Sequence, residues 1–141
     1  MSQLTALKKA QNAHDLANIL GYSAASLNYV AYRLTENRYH KFEIPKKDGG
    51  TREILAPHEK LKVLQQKVAN MLENCVAEFR KLYPIPIVSH AYKKELSIVT
   101  NANVHKRQRF VLNIDLENFF PSIHFGRVKG YFQKNRNFEL S

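Results

Sequence analysis

Apolar residues recur along the 141-residue chain with two different periods, and the changes of period divide it into elements. Near the start, Leu16, Ile19 and Leu20 share one helical face, Gly21 supplies a stop, and Ser23 offers a cap for a second helix. In that second helix Leu27, Val30, Ala31 and Leu34 follow at helical spacing. From Lys41 the period shortens to two. The stretch KFEIPKKDGGTREILAP puts Phe42 and Ile44 on one side, with Arg52 and Ile54 sharing a face beyond Asp48-Gly49-Gly50. That pattern predicts a β-hairpin, because both glycines supply the positive φ of a tight turn. Pro45 must then sit where no ladder N–H is needed, and Pro57 ends the second strand. A two-residue Gly49-Gly50 turn places Lys47 opposite Arg52; a shifted register places Lys46 opposite Thr51.

The helical period then returns. Leu61, Leu64, Val68, Met71, Leu72, Cys75, Val76 and Phe79 mark one face of a long amphipathic helix, with Lys60, Lys62, Lys67, Asn70 and Glu73 elsewhere on its surface. YPIPIV interrupts it with two prolines, and SIVTNANVHK predicts a short helix begun by Ser97 or Thr100. FVLNIDL is apolar on both faces, which predicts a strand in the middle of a sheet. After Pro121, SIHFGRVKGYFQK reads as the start of another helix.

Charge adds a partner class. Lys and Arg number 22 against 12 acidic residues, a formal net charge of +10. A chain this basic points to a polyanion, nucleic acid above all. Aromatics interleave with the bases in RYHKF, AYKK and GYFQK. Apolar residues make up 44% of the chain, enough for a core, but no run approaches the length needed to span a membrane. The N-terminus lacks the apolar stretch of a secretory signal. Cys75 is the single cysteine, so there is no internal disulfide and no zinc-like Cys/His spacing, and a cytoplasmic location is expected.

Two places carry candidate chemistry. The hairpin tip brings Lys46, Lys47, Arg52 and glycine N–H groups together. It is either a solvated turn or a grip for a triphosphate, with point charges from Lys and a planar fork from Arg. Asp115 lies at the end of the apolar strand, on the face of Val111 and Asn113, with a turn following. It either caps that turn or offers a hard oxygen ligand to Mg²⁺ beside a phosphate.

The ordered stretches FEIPKKDGGTREILAPHEKLKVLQQKV, SIVTNANVHK and VLNIDLENFFPSI together resemble the N-terminal part of a bacterial reverse transcriptase of the retron type. The helical LANILGYSAASLNYVAYRL is similar to the leader that precedes the retron fingers, so the resemblance covers nearly the whole chain. It implies an α+β fold: an incomplete right-hand polymerase domain with N-terminal helices over 1–40, fingers over 41–109, and the first palm strand with a helix start over 110–141. It implies RNA-directed DNA synthesis by two-metal nucleotidyl transfer, with Mg²⁺, dNTPs, an RNA template and an RNA or DNA primer. Asp115 matches the first catalytic Asp of the palm, and the backbone carbonyl of Leu116 would complete one coordination sphere. Phe120 matches the aromatic gate under the incoming sugar, against the plainer reading of a core ring. Lys46, Lys47 and Arg52 match the basic fingers that hold the triphosphate. Asn101 and His105 match an Asn-Ala-x-x-His segment of architectural role. Phage defence and a branched RNA–DNA product are associated with such enzymes.

The chain departs from that pattern in two ways. His90-Ala91-Tyr92 stands where the family often has His-Gly-Phe, and Ala lacks the backbone freedom of Gly. There is also no Tyr-x-Asp-Asp: the chain has three Asp residues, Asp15, Asp48 and Asp115, none adjacent to another. The remaining palm carboxylates and the thumb are needed for activity, so the chain alone is expected to be inactive. The alternative is a stand-alone basic module that binds RNA without chemistry.

Overall fold

The computed structural model describes residues 2–34, 38–47, 49–83, 89–93 and 95–140. The helices begin where a side chain can accept from an otherwise free N–H. Helix α1 (Gln3–Lys9) starts at Ser2, α2 (Ala13–Leu20) at Asn12 and α3 (Ala24–Asn28) at Ser23, each side chain accepting from the N–H three residues on. Gly21, at φ 69°, ends α2 in the left-handed conformation that its position suggested. Helix α3 runs straight into one π-helical turn, Tyr29–Arg33, closed by the Leu34 N–H donating to the Tyr29 carbonyl at 2.8 Å.

Strands β1 (Tyr39–Pro45) and β2 (Thr51–Pro57) form the antiparallel hairpin. The 24-residue α4 (Glu59–Leu82) follows, capped by the imidazole of His58. Helix α5 (Ile98–Val104) opens on a reciprocal cap: the Thr100 N–H donates to the Ser97 hydroxyl and the Ser97 N–H donates to the Thr100 hydroxyl. Helix α6 (Phe125–Lys134) is capped by His124. The described residues therefore combine helices with one two-stranded sheet, an α+β arrangement.

The core lies between α4 and the N-terminal helices. Leu61, Leu64, Met71, Cys75 and Phe79 form the buried stripe of α4, meeting Leu7, Ala17, Leu20, Leu27 and Val30. Val76, placed on the same face by its spacing, instead lies at the rim, 36% exposed. Phe138 closes the far end of this core, its ring 5.0 Å from both Phe79 and Phe132 in edge-to-face geometry. The Arg38 guanidinium donates to the Ala31 carbonyl at 2.7 Å, tying the π turn to the residues just before β1.

Two expectations are corrected. The hairpin pairs Ile44 with Arg52 and Pro45 with Thr51, so neither of the two registers read from the turn is formed. The closing bond is the Lys46 N–H to the Gly50 carbonyl, and Gly49 donates back to the Lys46 carbonyl. Gly49 and Gly50 both adopt positive φ, but the turn begins at Lys46, two residues earlier than a Gly-Gly tip would. In this register Pro45 sits between hydrogen-bonded pairs, as its missing N–H requires.

The second correction concerns residues 110–116, which form no strand. Phe110, Leu112 and Ile114 are about four-fifths exposed on one side, and Val111 is exposed on the other. A strand exists only against a partner that accepts and donates along its ladder, and the sheet among the described residues is closed within the hairpin. The proline-rich stretch and the Asp48 tip lie at or within residues outside those described.

Candidate functional site

The hairpin presents two chemically different faces. Cross-strand pairing puts Phe42 with Ile54 and Ile44 with Arg52 on one side, and alternation carries Lys46 onto that side as well. The basic pair on this face is thus Lys46 and Arg52, diagonal to each other beside exposed Phe42 and Ile44, while Lys47 belongs to the turn. The opposite face holds Glu43 directly across from Glu53, with Lys41 ion-paired to Glu53. The tip offers less free backbone than its sequence suggests, because the Gly49 N–H is already donated within the turn.

Asp115 lies in the exposed, unpaired segment, and among the described residues its carboxylate accepts no hydrogen bond. The turn after it is held by other groups. Asn118 takes φ 52°, the Ser122 N–H donates to the Asn118 carbonyl at 3.0 Å, and the Ser122 hydroxyl donates to the Phe119 carbonyl at 2.7 Å. Asp115 is therefore not the cap of its turn. Leu116 and Glu117 are exposed beside it.

In extended chain, adjacent Phe119 and Phe120 would point to opposite sides, one toward a core and one toward a pocket. Both are exposed, packed edge to face at 5.3 Å, and Phe120 also meets Tyr92 at 6.3 Å. Alternation holds only in extended chain, and the left-handed Asn118 ends it here.

The loop carrying Tyr92 reaches α5 through the His90 imidazole, 2.8 Å from the Thr100 hydroxyl. Nothing in the spacing announced that link. Positive φ falls on Tyr92 rather than Ala91, so the residue standing at the family's glycine position carries no left-handed strain. Asn101 lines a 290 Å³ hollow with His90, Tyr92 and Leu96. His105 ends α5, its main-chain N–H donating to the Ala102 carbonyl, and its side chain is exposed.

Hairpin tip and Asp115 are not joined by any hydrogen bond or ion pair among the described residues. Nor do any three His, Cys, Asp or Glu side chains among those residues converge as a metal site. A divalent ion of the Mg²⁺ type wants six oxygen ligands, so Asp115 with the Leu116 carbonyl does not by itself make one. No helix among the described residues is long and apolar enough to cross a membrane.

No family model matches the chain, and no solved structure does. Curated relatives do. The chain is 35% identical over 131 residues to the retron Mx162 reverse transcriptase of Myxococcus xanthus, covering 91% of this chain and 26% of that protein. It is 36% identical to the retron Mx65 reverse transcriptase of the same organism, over 82% of this chain and 26% of the relative. The retron Ec86 reverse transcriptase of Escherichia coli matches at 36% over 86% of this chain and 36% of the relative. The chain thus spans about a quarter to a third of the length of these relatives.

Proposed function

We propose that this chain is the fingers and the opening of the palm of a retron-type RNA-directed DNA polymerase. The observation that carries the reading is similarity to several retron reverse transcriptases over most of the chain's length. Under it, residues 1–40 form a leader, 41–109 the fingers, and 110–141 the palm's start. Lys46, Lys47 and Arg52 hold the triphosphate of an incoming dNTP. Asp115 supplies one catalytic carboxylate and Leu116 a carbonyl oxygen toward Mg²⁺, while the other ligands come from palm residues outside this chain. Phe120 lies under the sugar and disfavours a 2′-hydroxyl. An RNA template and a primer complete the set of partners, and the setting is the cytoplasm.

Support comes from three features of the chain. Asp115 is free of the cap that would otherwise explain it. The apolar side chains around it are exposed on both faces of the segment. Lys46 and Arg52 share a hairpin face with no carboxylate among the paired positions on that side.

The test is primer extension on an RNA template with dNTPs and Mg²⁺. The enzyme carrying this segment with a complete palm should extend, and its Asp115→Asn variant should not. The 141-residue chain by itself should show no incorporation. Incorporation by the isolated chain that vanishes with Asp115→Asn would overturn the need for further palm carboxylates.

A further inference from the structure

A groove along the first turns of α4 has no part in the proposed nucleotide chemistry. Two hollows, of 660 and 570 Å³, share Ala25 and Tyr29 in their linings and together make up the channel: the first lies between α3 with its π turn and the first half of α4, the second runs along α3 and the π turn alone. Tyr22 and Tyr29 line the first hollow, Tyr29 and Tyr32 the second. Tyr29 is about half exposed and Tyr32 is 75% exposed. The π turn helps to set this display. Within its five residues Val30 points into the core, while Tyr29, Tyr32 and Arg33 are exposed.

Lysines accompany these rings. Lys60 Nζ lies 5.5 Å from the centre of the Tyr29 ring, and Lys67 Nζ lies 4.9 Å from that of Tyr22. Lys67 also donates to the Leu20 carbonyl, which leaves two of its three ammonium hydrogens for another acceptor. Seven residues of helix put the two lysines about 10 Å apart along α4. Glu59 is the acidic residue on the channel wall, set against Lys60 and Arg33, and Ala25, Ser26 and Asn28 leave room for a flat group to approach.

We infer that this channel binds an unpaired stretch of nucleic acid, with bases stacking on Tyr29 and Tyr32 and phosphates meeting Lys60 and Lys67. Exposed aromatic faces interleaved with ammonium groups suit a strand whose bases are free to stack, and the +10 chain favours a polyanion. A base inside a duplex has no face to offer, so the channel discriminates single from double strands. This inference does not rest on the polymerase reading: it concerns a surface remote in sequence from Asp115, and its readout is binding.

The chain has no tryptophan, so tyrosine emission reports on the rings directly. The probe is an unstructured twelve-nucleotide oligouridylate, compared with an RNA duplex of the same length. The oligouridylate should quench tyrosine emission. Tyr29→Ala/Tyr32→Ala should weaken its binding by about tenfold or more and leave duplex binding unchanged. Tyr29→Phe/Tyr32→Phe should bind like the parent, because the stacking faces remain. Tyr32→Ala alone removes a mostly exposed ring, so it keeps the test decisive should the double alanine variant fail to fold. Unchanged oligouridylate affinity in folded Tyr32→Ala, or equal loss for oligouridylate and duplex, would overturn the inference. Unchanged affinity would leave the channel to a protein partner.

Discussion

Asp115 is an exposed carboxylate without a hydrogen-bond partner among the described residues, so replacing it should not disturb the fold. In the enzyme with a complete palm, Asp115→Asn is expected to abolish dNTP incorporation while the melting temperature stays within about a degree, since exposed substitutions rarely exceed about 0.5 kcal/mol. Phe120→Ala should likewise keep the fold, and should raise incorporation of rNTPs relative to dNTPs. Loss of folding without a change in that ratio would make the ring a packing group.

Cys75 gives a third test. Burial, and then the nearby Glu78 carboxylate, push its thiol above the ordinary range. A thiol harder to ionise in the folded state stabilises the fold fully below the ordinary thiol range, and this contribution falls away as pH rises through it. The urea midpoint should therefore drop between pH 7 and pH 10 by more in the parent than in Cys75→Ala. Asp115 was legible in the sequence as the odd carboxylate in an apolar run. Its surroundings were not, because the groups that would enclose it are set by distant pairing.

At the level of elements, legibility followed locality. The stop at Gly21, the caps at Ser23 and Ser97 and the stripe of α4 depend on residues within a turn or two of each other, and the structure has them. The hairpin was also legible, but its register was not, since Gly49 and Gly50 allow more than one turn. The observed register makes a prediction of its own. Glu43 faces Glu53, and like charges directly across a ladder are unfavourable, so Glu43→Lys should stabilise the hairpin by about 0.2–1 kcal/mol. Thermal melting of the variant, at low and high salt, measures this. In α4, Met71→Ala should cost about 2–5 kcal/mol, through lost burial and the cavity left behind.

The whole molecule is a strongly basic body with an apolar segment exposed on its surface. The charge was countable from the sequence; where the apolar surface would end up was not. RNA affinity is expected to fall steeply between 50 and 200 mM salt, and Lys46→Ala/Lys47→Ala should flatten the slope of log affinity against log salt by about one to two. A filter-binding titration at several ionic strengths reads both. Affinity indifferent to salt would mean the basic surface meets no phosphate.

The beginning of the chain and the stretch before its last residue lie together. Lys8 and Glu139 approach to 4.0 Å, and Leu4 shares a hollow with Arg136 and Asn137. That proximity ties the two regions through one core, so loosening one should loosen the other: Phe138→Ala is expected to speed hydrogen exchange of α1 amides as well as those of the last turns of α4.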